Sequence, residues 1–210
     1  MTHTWSVRID LSGPHPKATG TNYVYLMVAV VTTGDGKTRL PFVRGLTSTR
    51  GEDVAKAVQS VVVEVEAVLG AKGIFARFHS DVGKEFYNEA VSICLQKLKL
   101  FQSGTGGYNP KSNGLAERFI GIIKHRASAY LSHAKLALTF WYWAAQQAAY
   151  VYRSHVLEAP MPKNCPTVGD RVLVRDFQGE KKSFSHKRRK KPFSCAGQRM
   201  WCMGHEWQFH

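Results

Sequence analysis

Acidic residues are scarce in this chain. Asp and Glu number 15 against 29 Lys and Arg, a net charge of +14, and that balance points towards a polyanionic partner. The four cysteines, Cys94, Cys165, Cys195 and Cys202, include no Cys-x-x-Cys pair. They read as reduced thiols of an intracellular protein rather than a disulfide framework. The opening MTHTWSVRID lacks the apolar stretch that a secretory signal needs. The apolar run Tyr23–Val31 is far too short to span a bilayer, so no membrane partner is expected. No internal repeat is present.

What the chain does contain is unevenly placed. Hydrophobic residues make up 44% of 210, enough to bury the core of one α/β domain with appendages. Residues 181–210 hold eight Lys or Arg and one Glu. No acid occurs between Glu117 and Glu158, a stretch that holds Arg118, Lys124, Arg126, Lys135 and Arg153. A segment with positive charges only, adjoining a candidate carboxylate site, suits a DNA backbone.

Periodicity supplies the organisation. Trp5, Val7 and Ile9 alternate with Ser6, Arg8 and Asp10, which predicts a strand over 5–10. A β-branched and aromatic run over 22–32 and a return over 38–45, joined by TTGDGK, predict a hairpin. Over 52–69 the period changes: Val54, Val58, Val61, Val62, Val65, Val68 and Leu69 sit at helical spacing. A strand at 74–80, a helix near 86–97, a strand at 98–102 and helices at about 113–134 and 139–155 complete the pattern. The order βββαβαβαα describes a mixed sheet with helices on both faces. Residues 1–158 are therefore expected to form the core. Residues 159–180 read as a linker, APMPKNCP, feeding one short strand in VGDRVLVRD. Residues 181–210 read as a basic tail, disordered until it meets an anion. Cys195, Cys202, His205 and His210 match no zinc module.

Three carboxylates stand where an open α/β sheet gathers its functional groups. Asp10 ends the first strand, Asp81 ends the fourth, and Glu117 lies in the first turn of the long helix. Taken singly, each has an ordinary explanation as a turn, cap or helix-dipole residue. Taken together they form a pattern, with 35 residues between Asp81 and Glu117.

That spacing and its flanking residues resemble the catalytic core of retroviral and retrotransposon integrases. Trp5 with Asp10-Leu-Ser-Gly-Pro14 is similar to the family's first-Asp segment. His79-Ser-Asp-Val-Gly-Lys-Glu-Phe86 is similar to its second, and Tyr108-Asn-Pro-Lys-Ser-Asn-Gly-Leu-Ala-Glu-Arg118 to its Y-x-P-x-x-N-G-x-x-E-R segment. The resemblance covers roughly residues 5–155, and Phe140-Trp141 with Ala144 and Ala145 also fits. Val82 departs from the usual Asn, and 70 residues separate Asp10 from Asp81, more than in retroviral enzymes. The family's amino-terminal zinc module has no counterpart, and VGDRVLVRD resembles only the start of its carboxy-terminal barrel. A fragment or a decayed element is the resulting expectation.

The resemblance implies a ribonuclease H-like fold and metal-dependent DNA strand transfer. Clustered carboxylates repel unless cations intervene, and hard oxygen donors suit two Mg²⁺ or Mn²⁺ ions. Asp10 would bridge them, with Asp81 and Glu117 each holding one. Water would trim the element's 3′-end, and the freed hydroxyl would attack target DNA. Homo-oligomers and a nuclear location are implied as well. Lys124, seven residues beyond Glu117, projects from the same side of the helix and is a candidate phosphate contact beside Arg118. Gly121 between them leaves room for a DNA backbone. The opposite stripe, Leu115, Phe119, Ile122, Ile123 and Tyr130, would face the core. Lys187, Arg188, Arg189, Lys190 and Lys191 are the tail's candidate DNA contacts. Asn113 reads as a helix cap. Two alternatives stay open: a catalytically incomplete nucleic-acid-binding remnant, and a ribonuclease H-like nuclease.

Overall fold

The computed structural model describes residues 5–34, 36–70, 72–73, 75–104, 113–159 and 168, with the backbone of 194–195 and 198–199. Three strands open the fold: β1 (Trp5–Ser12), β2 (Tyr25–Thr32) and β3 (Arg39–Leu46). Then come α1 (Gly51–Leu69), β4 (Phe75–Ser80), α2 (Glu89–Lys97), β5 (Phe101–Gly104), α3 (Gly114–Ala134) and α4 (Trp141–Val156). The strands lie in the order β3-β2-β1-β4-β5. β1, β2 and β3 are antiparallel, whereas β4 runs parallel to β1 and β5 parallel to β4. This is the expected mixed five-stranded sheet with helices on both faces.

Strand alternation divides the interior into two cores. Val7 and Ile9 of β1, Met27, Ala29 and Val31 of β2, and Leu40 and Phe42 of β3 pack beneath α1 and α2. Leu26, Val28, Val30 and Val43 point the other way, against α3 and α4. On α3 the inward stripe is Ala116, Phe119, Ile123, Ala127 and Leu131; Leu115, Ile122 and Tyr130 are only partly buried at its margin. On α1, Val54, Val58, Val61, Val62 and Val65 are buried as expected, but Val68 is 42% exposed. The helix ends there because Gly70 takes a left-handed conformation (φ 64°) that glycine adopts without steric cost.

Element limits differ from the sequence reading for local reasons. α2 starts at Glu89 rather than near residue 86 because the Asn88 side chain accepts a hydrogen bond from the Val91 backbone N–H, a helix cap. β5 begins at Phe101 rather than 98, since Lys99 turns left-handed (φ 57°) to close α2. Most of residues 159–210, including Lys187–Lys191 and the Cys/His-rich end, lies outside the described residues. Within it Ser194–Cys195 pairs antiparallel with Gln198–Arg199, where no regular pattern was expected. Val168 is buried in the α3/α4 core.

One sequence inference is corrected. Arg153 was grouped with the cations suited to DNA, yet it is buried under β3. Its guanidinium donates to the Pro41 carbonyl at 2.8 Å, pairs with Glu64 of α1 at 2.9 Å and lies over the Phe42 ring at 4.3 Å. Arg44 binds the other Glu64 oxygen at 2.6 Å. α4 is enclosed on most sides, so a cation on it needs a buried partner rather than a phosphate. Arg126 likewise lies over an aromatic ring, that of Tyr152, at 5.2 Å.

Candidate active site

Parity places the first two carboxylates on one face. Asp10 pairs across the sheet with Val28, whose side chain belongs to the α3/α4 core. Arg8 pairs with His79 in parallel register. Two residues further along each strand, Asp10 and Asp81 therefore stand on the same face of neighbouring strands. Glu117 reaches this end from above, in the first turn of α3.

The helix is moored to β1 by Asn113. It occupies the cap position, yet its side chain makes no capping bond. Its buried amide instead donates to the Ile9 carbonyl at 3.4 Å, one residue before Asp10. The capping expectation is thus corrected: the side chain links the Asp10 strand to the Glu117 helix.

The two Asp carboxyls are electrostatically perturbed. Burial raises the Asp10 carboxyl from 3.8 to about 6, opposed by a 2.8 Å hydrogen bond from the Leu11 N–H and reinforced by the charges of Asp81, Glu117 and Glu85. Burial also raises Asp81, followed by the charges of Glu85 and Glu117. One Asp81 oxygen, Oδ1, is buried without a hydrogen-bond partner. Glu117 and Arg118 are exposed. Glu85 is the residue that sequence reasoning quoted within a motif but did not select. Its carboxylate folds back over Gly83, in space that a Cβ there would fill.

Among the described residues, no three His, Cys, Asp or Glu stand close enough together to hold an ion. The chemistry of the set nonetheless fits a hard divalent cation. All its donors are carboxylate oxygens, one of them buried and unpartnered, and the ionised forms of Asp10 and Asp81 lack compensating charge.

Lys124 is exposed, and its ammonium donates to Ser12 Oγ at 3.2 Å. Ser12 shares the Asp10 face two residues further along β1. Ser12 Oγ in turn lies 3.2 Å from His15 Nε2, and the His15 ring lies tilted against Trp141, 4.8 Å between ring centres. Burial, then the Lys124 charge, lowers the His15 pKa. A Cβ at Gly121 would meet nothing, so packing does not require glycine there. At Gly104 the reverse holds, because the Tyr87 hydroxyl presses against it.

The raised Asp10 pKa gives a stability prediction. A carboxyl that titrates near 6 when folded and near 3.8 otherwise favours the fold while protonated. That contribution is fully present at about pH 3.8 and below, and is lost as pH rises through about 6. In chelator, wild-type stability should fall between about pH 4 and 6 by about 1 kcal/mol, after allowing for screening of a half-exposed group. Asp10→Asn should remove most of that slope in denaturant titrations. An identical slope in both proteins would contradict the assignment.

The strand order and flanking helices are those of a ribonuclease H-like fold. Over 79% of this chain it matches a chain of the simian T-cell lymphotropic virus intasome in complex with PP2A regulatory subunit B56 gamma, at 18% identity and TM-score 0.50. This chain spans about half, 52%, of that one. A looser likeness, TM-score 0.44 and 15% identity, joins 77% of this chain to 88% of the catalytic core domain of BIV integrase. No protein-family model matches the chain. Among the described residues no helix is long and apolar enough to cross a membrane.

Proposed function

We propose that this chain is the catalytic core of a retrotransposon-type integrase, a polynucleotidyl transferase acting in DNA integration. The observation that carries the reading is the placement of Asp10 and Asp81 at one end of one sheet face, with Asp10 subject to the charges of Asp81 and Glu117, and Asp81 to that of Glu117. The fold likeness to an intasome chain agrees with it.

Asp10, Asp81 and Glu117 would hold Mg²⁺ or Mn²⁺, which when bound supplies Lewis-acid stabilisation of the attacking and leaving oxygens in phosphoryl transfer. The chain's own residues do the rest. Glu117 sits at the positive end of the α3 dipole, which favours its ionised, ligating form. Asn113 holds that helix end against the Asp10 strand. Lys124, fixed over Ser12, offers a cation beside the carboxylates for a strand's phosphate. Arg118 and Lys187–Lys191 add sequence-independent attraction to DNA. Homo-oligomer assembly and action in the nucleus belong to the same proposal.

A Mn²⁺-dependent disintegration assay, in which the chain resolves a branched DNA into its joined and released products, tests the reading. Activity lost with Asp81→Asn supports it; activity unaffected by any of the three carboxylate changes refutes it. Glu85 favours a second reading, since a fourth carboxylate beside Asp81 suits a ribonuclease H-like nuclease. Cleavage of the RNA strand of a hybrid, without DNA joining, would select it.

Lys124→Glu should weaken binding of DNA ends more than Lys124→Ala. Alanine removes one phosphate contact, whereas glutamate adds repulsion and another anion near the site. Both residues keep good helix propensity, so α3 should persist. Equal, full binding by both variants would return Lys124 to a solvated role.

A further inference from the structure

The α3 and α4 helices cover only part of their sheet face. The core beneath them draws on β2 and β3 and includes no residue of β4 or β5. Over β1, β4 and β5 the same face carries mainly polar side chains among the described residues, with exposed Phe101 beside Arg77 as the apolar exception. By register these are Ser6 and Arg8, then Arg77 and His79, then Ser103, in adjacent rows. With Trp5 they line a cleft of about 460 Å³. The next pair in the same rows is Asp10 and Asp81.

We propose that this cleft is a binding track for the phosphodiester backbone of a DNA strand whose reacting phosphate lies at the carboxylates. The inference rests on the polynucleotide reading above and names where the strand runs. Arg8 and His79 stand two strand residues from Asp10 and Asp81, about 7 Å at a rise of about 3.3 Å per residue. That is about two steps of a stacked nucleic-acid strand. Ser6 and Arg77 lie about two steps further on. Arg8 and Arg77 thus stand at a spacing that meets about every second phosphate, along strands that lead to the chemistry.

His79 adds a ring of fixed orientation. Ser103 Oγ donates its proton to the Phe78 carbonyl at 3.2 Å, and Oγ lies 3.1 Å from His79 Nδ1. With the hydroxyl proton committed, Oγ accepts from Nδ1–H. The His79 ring is therefore held in one orientation within the cleft. Hydroxyls and guanidinium groups on a polar floor suit phosphate oxygens and carry no base-reading arrangement.

The test uses the full chain and a short single-stranded DNA oligonucleotide, followed by tryptophan fluorescence with Trp5→Phe as the reference for the cleft signal. Arg8→Gln with Arg77→Gln should weaken binding roughly tenfold and reduce the salt slope by about 0.7 for each lost contact. Arg77 is exposed, so Arg77→Gln alone keeps the test valid if Arg8→Gln disturbs β1. Unchanged affinity and slope in Arg77→Gln and the double variant would overturn the cleft. So would equal quenching of Trp5 by inorganic phosphate alone. Joining of DNA ends is measured in parallel. Binding through Arg8 and Arg77 with no joining removes the transferase reading and leaves the cleft. Joining with unaltered binding in both variants removes the cleft alone.

Discussion

Glu117→Gln is expected to reduce metal-dependent strand transfer by roughly a thousandfold, the equivalent of several kcal/mol of transition-state stabilisation. The change is nearly isosteric and removes one ligand charge. Glu117 is exposed on the first turn of a long, well-packed helix, so the fold has little to lose. DNA affinity should change little, because the lost group is an anion and none of the proposed DNA contacts is. Asp10→Asn should match it in activity but differ in stability, since removing a carboxylate whose charge is disfavoured relieves the metal-free fold. The two variants together separate chemistry from folding. Circular dichroism and a disintegration assay on the same preparations make the comparison. Full activity in Glu117→Gln would leave that residue as a helix-dipole residue and no more.

Glu64→Gln should be the most damaging single change distant from the site. Among the described residues Glu64 is the acid paired with both Arg44 and Arg153. Without it two guanidinium groups face each other at the β3 edge, and burial already lowers the Arg153 pKa. Breaking a buried pair by removing one partner costs about 3–5 kcal/mol. The Glu64 side chain is 27% exposed, so the lower end, about 3 kcal/mol, is expected. For a domain of this size that corresponds to a fall in Tm of roughly 6–12 °C. Arg153→Met should cost less, because Arg44 retains its acid and methionine fills the space over Phe42. A Tm change within a degree for Glu64→Gln would show that the network is not stabilising.

Much of this was readable in advance because strands and helices announce themselves by period. The alternation of Val7 and Ile9 with Arg8 and Asp10 assigns each to a face, and β1 is built that way. The valine spacing of α1 worked for the same reason. The failures have a common physical source: what a side chain does once its backbone is placed. Asn113 occupies a helix-cap position in sequence, but a carbonyl of β1, far away along the chain, offers its amide a partner. Arg153 belongs to a run of cations, yet tertiary burial gives it Glu64. Glu85 lies four residues from Asp81, and only the turn through Gly83 brings their charges together. Arg8 was legible as Asp10's neighbour in parity, but the bareness of the sheet above it depends on where two helices come to rest.

That half-clad sheet has a consequence for how the chain behaves when alone. A two-faced sheet ordinarily completes its layers with protein; here, among the described residues, one quadrant is left to solvent. A chain with a net charge of +14 then repels itself. Any polyanion seated on that quadrant acts as a detachable third layer, and its affinity is added to the free energy of folding by mass action. Purity from nucleic acid thus becomes a thermodynamic variable: stripped preparations should melt earlier and precipitate more readily than those that retain it.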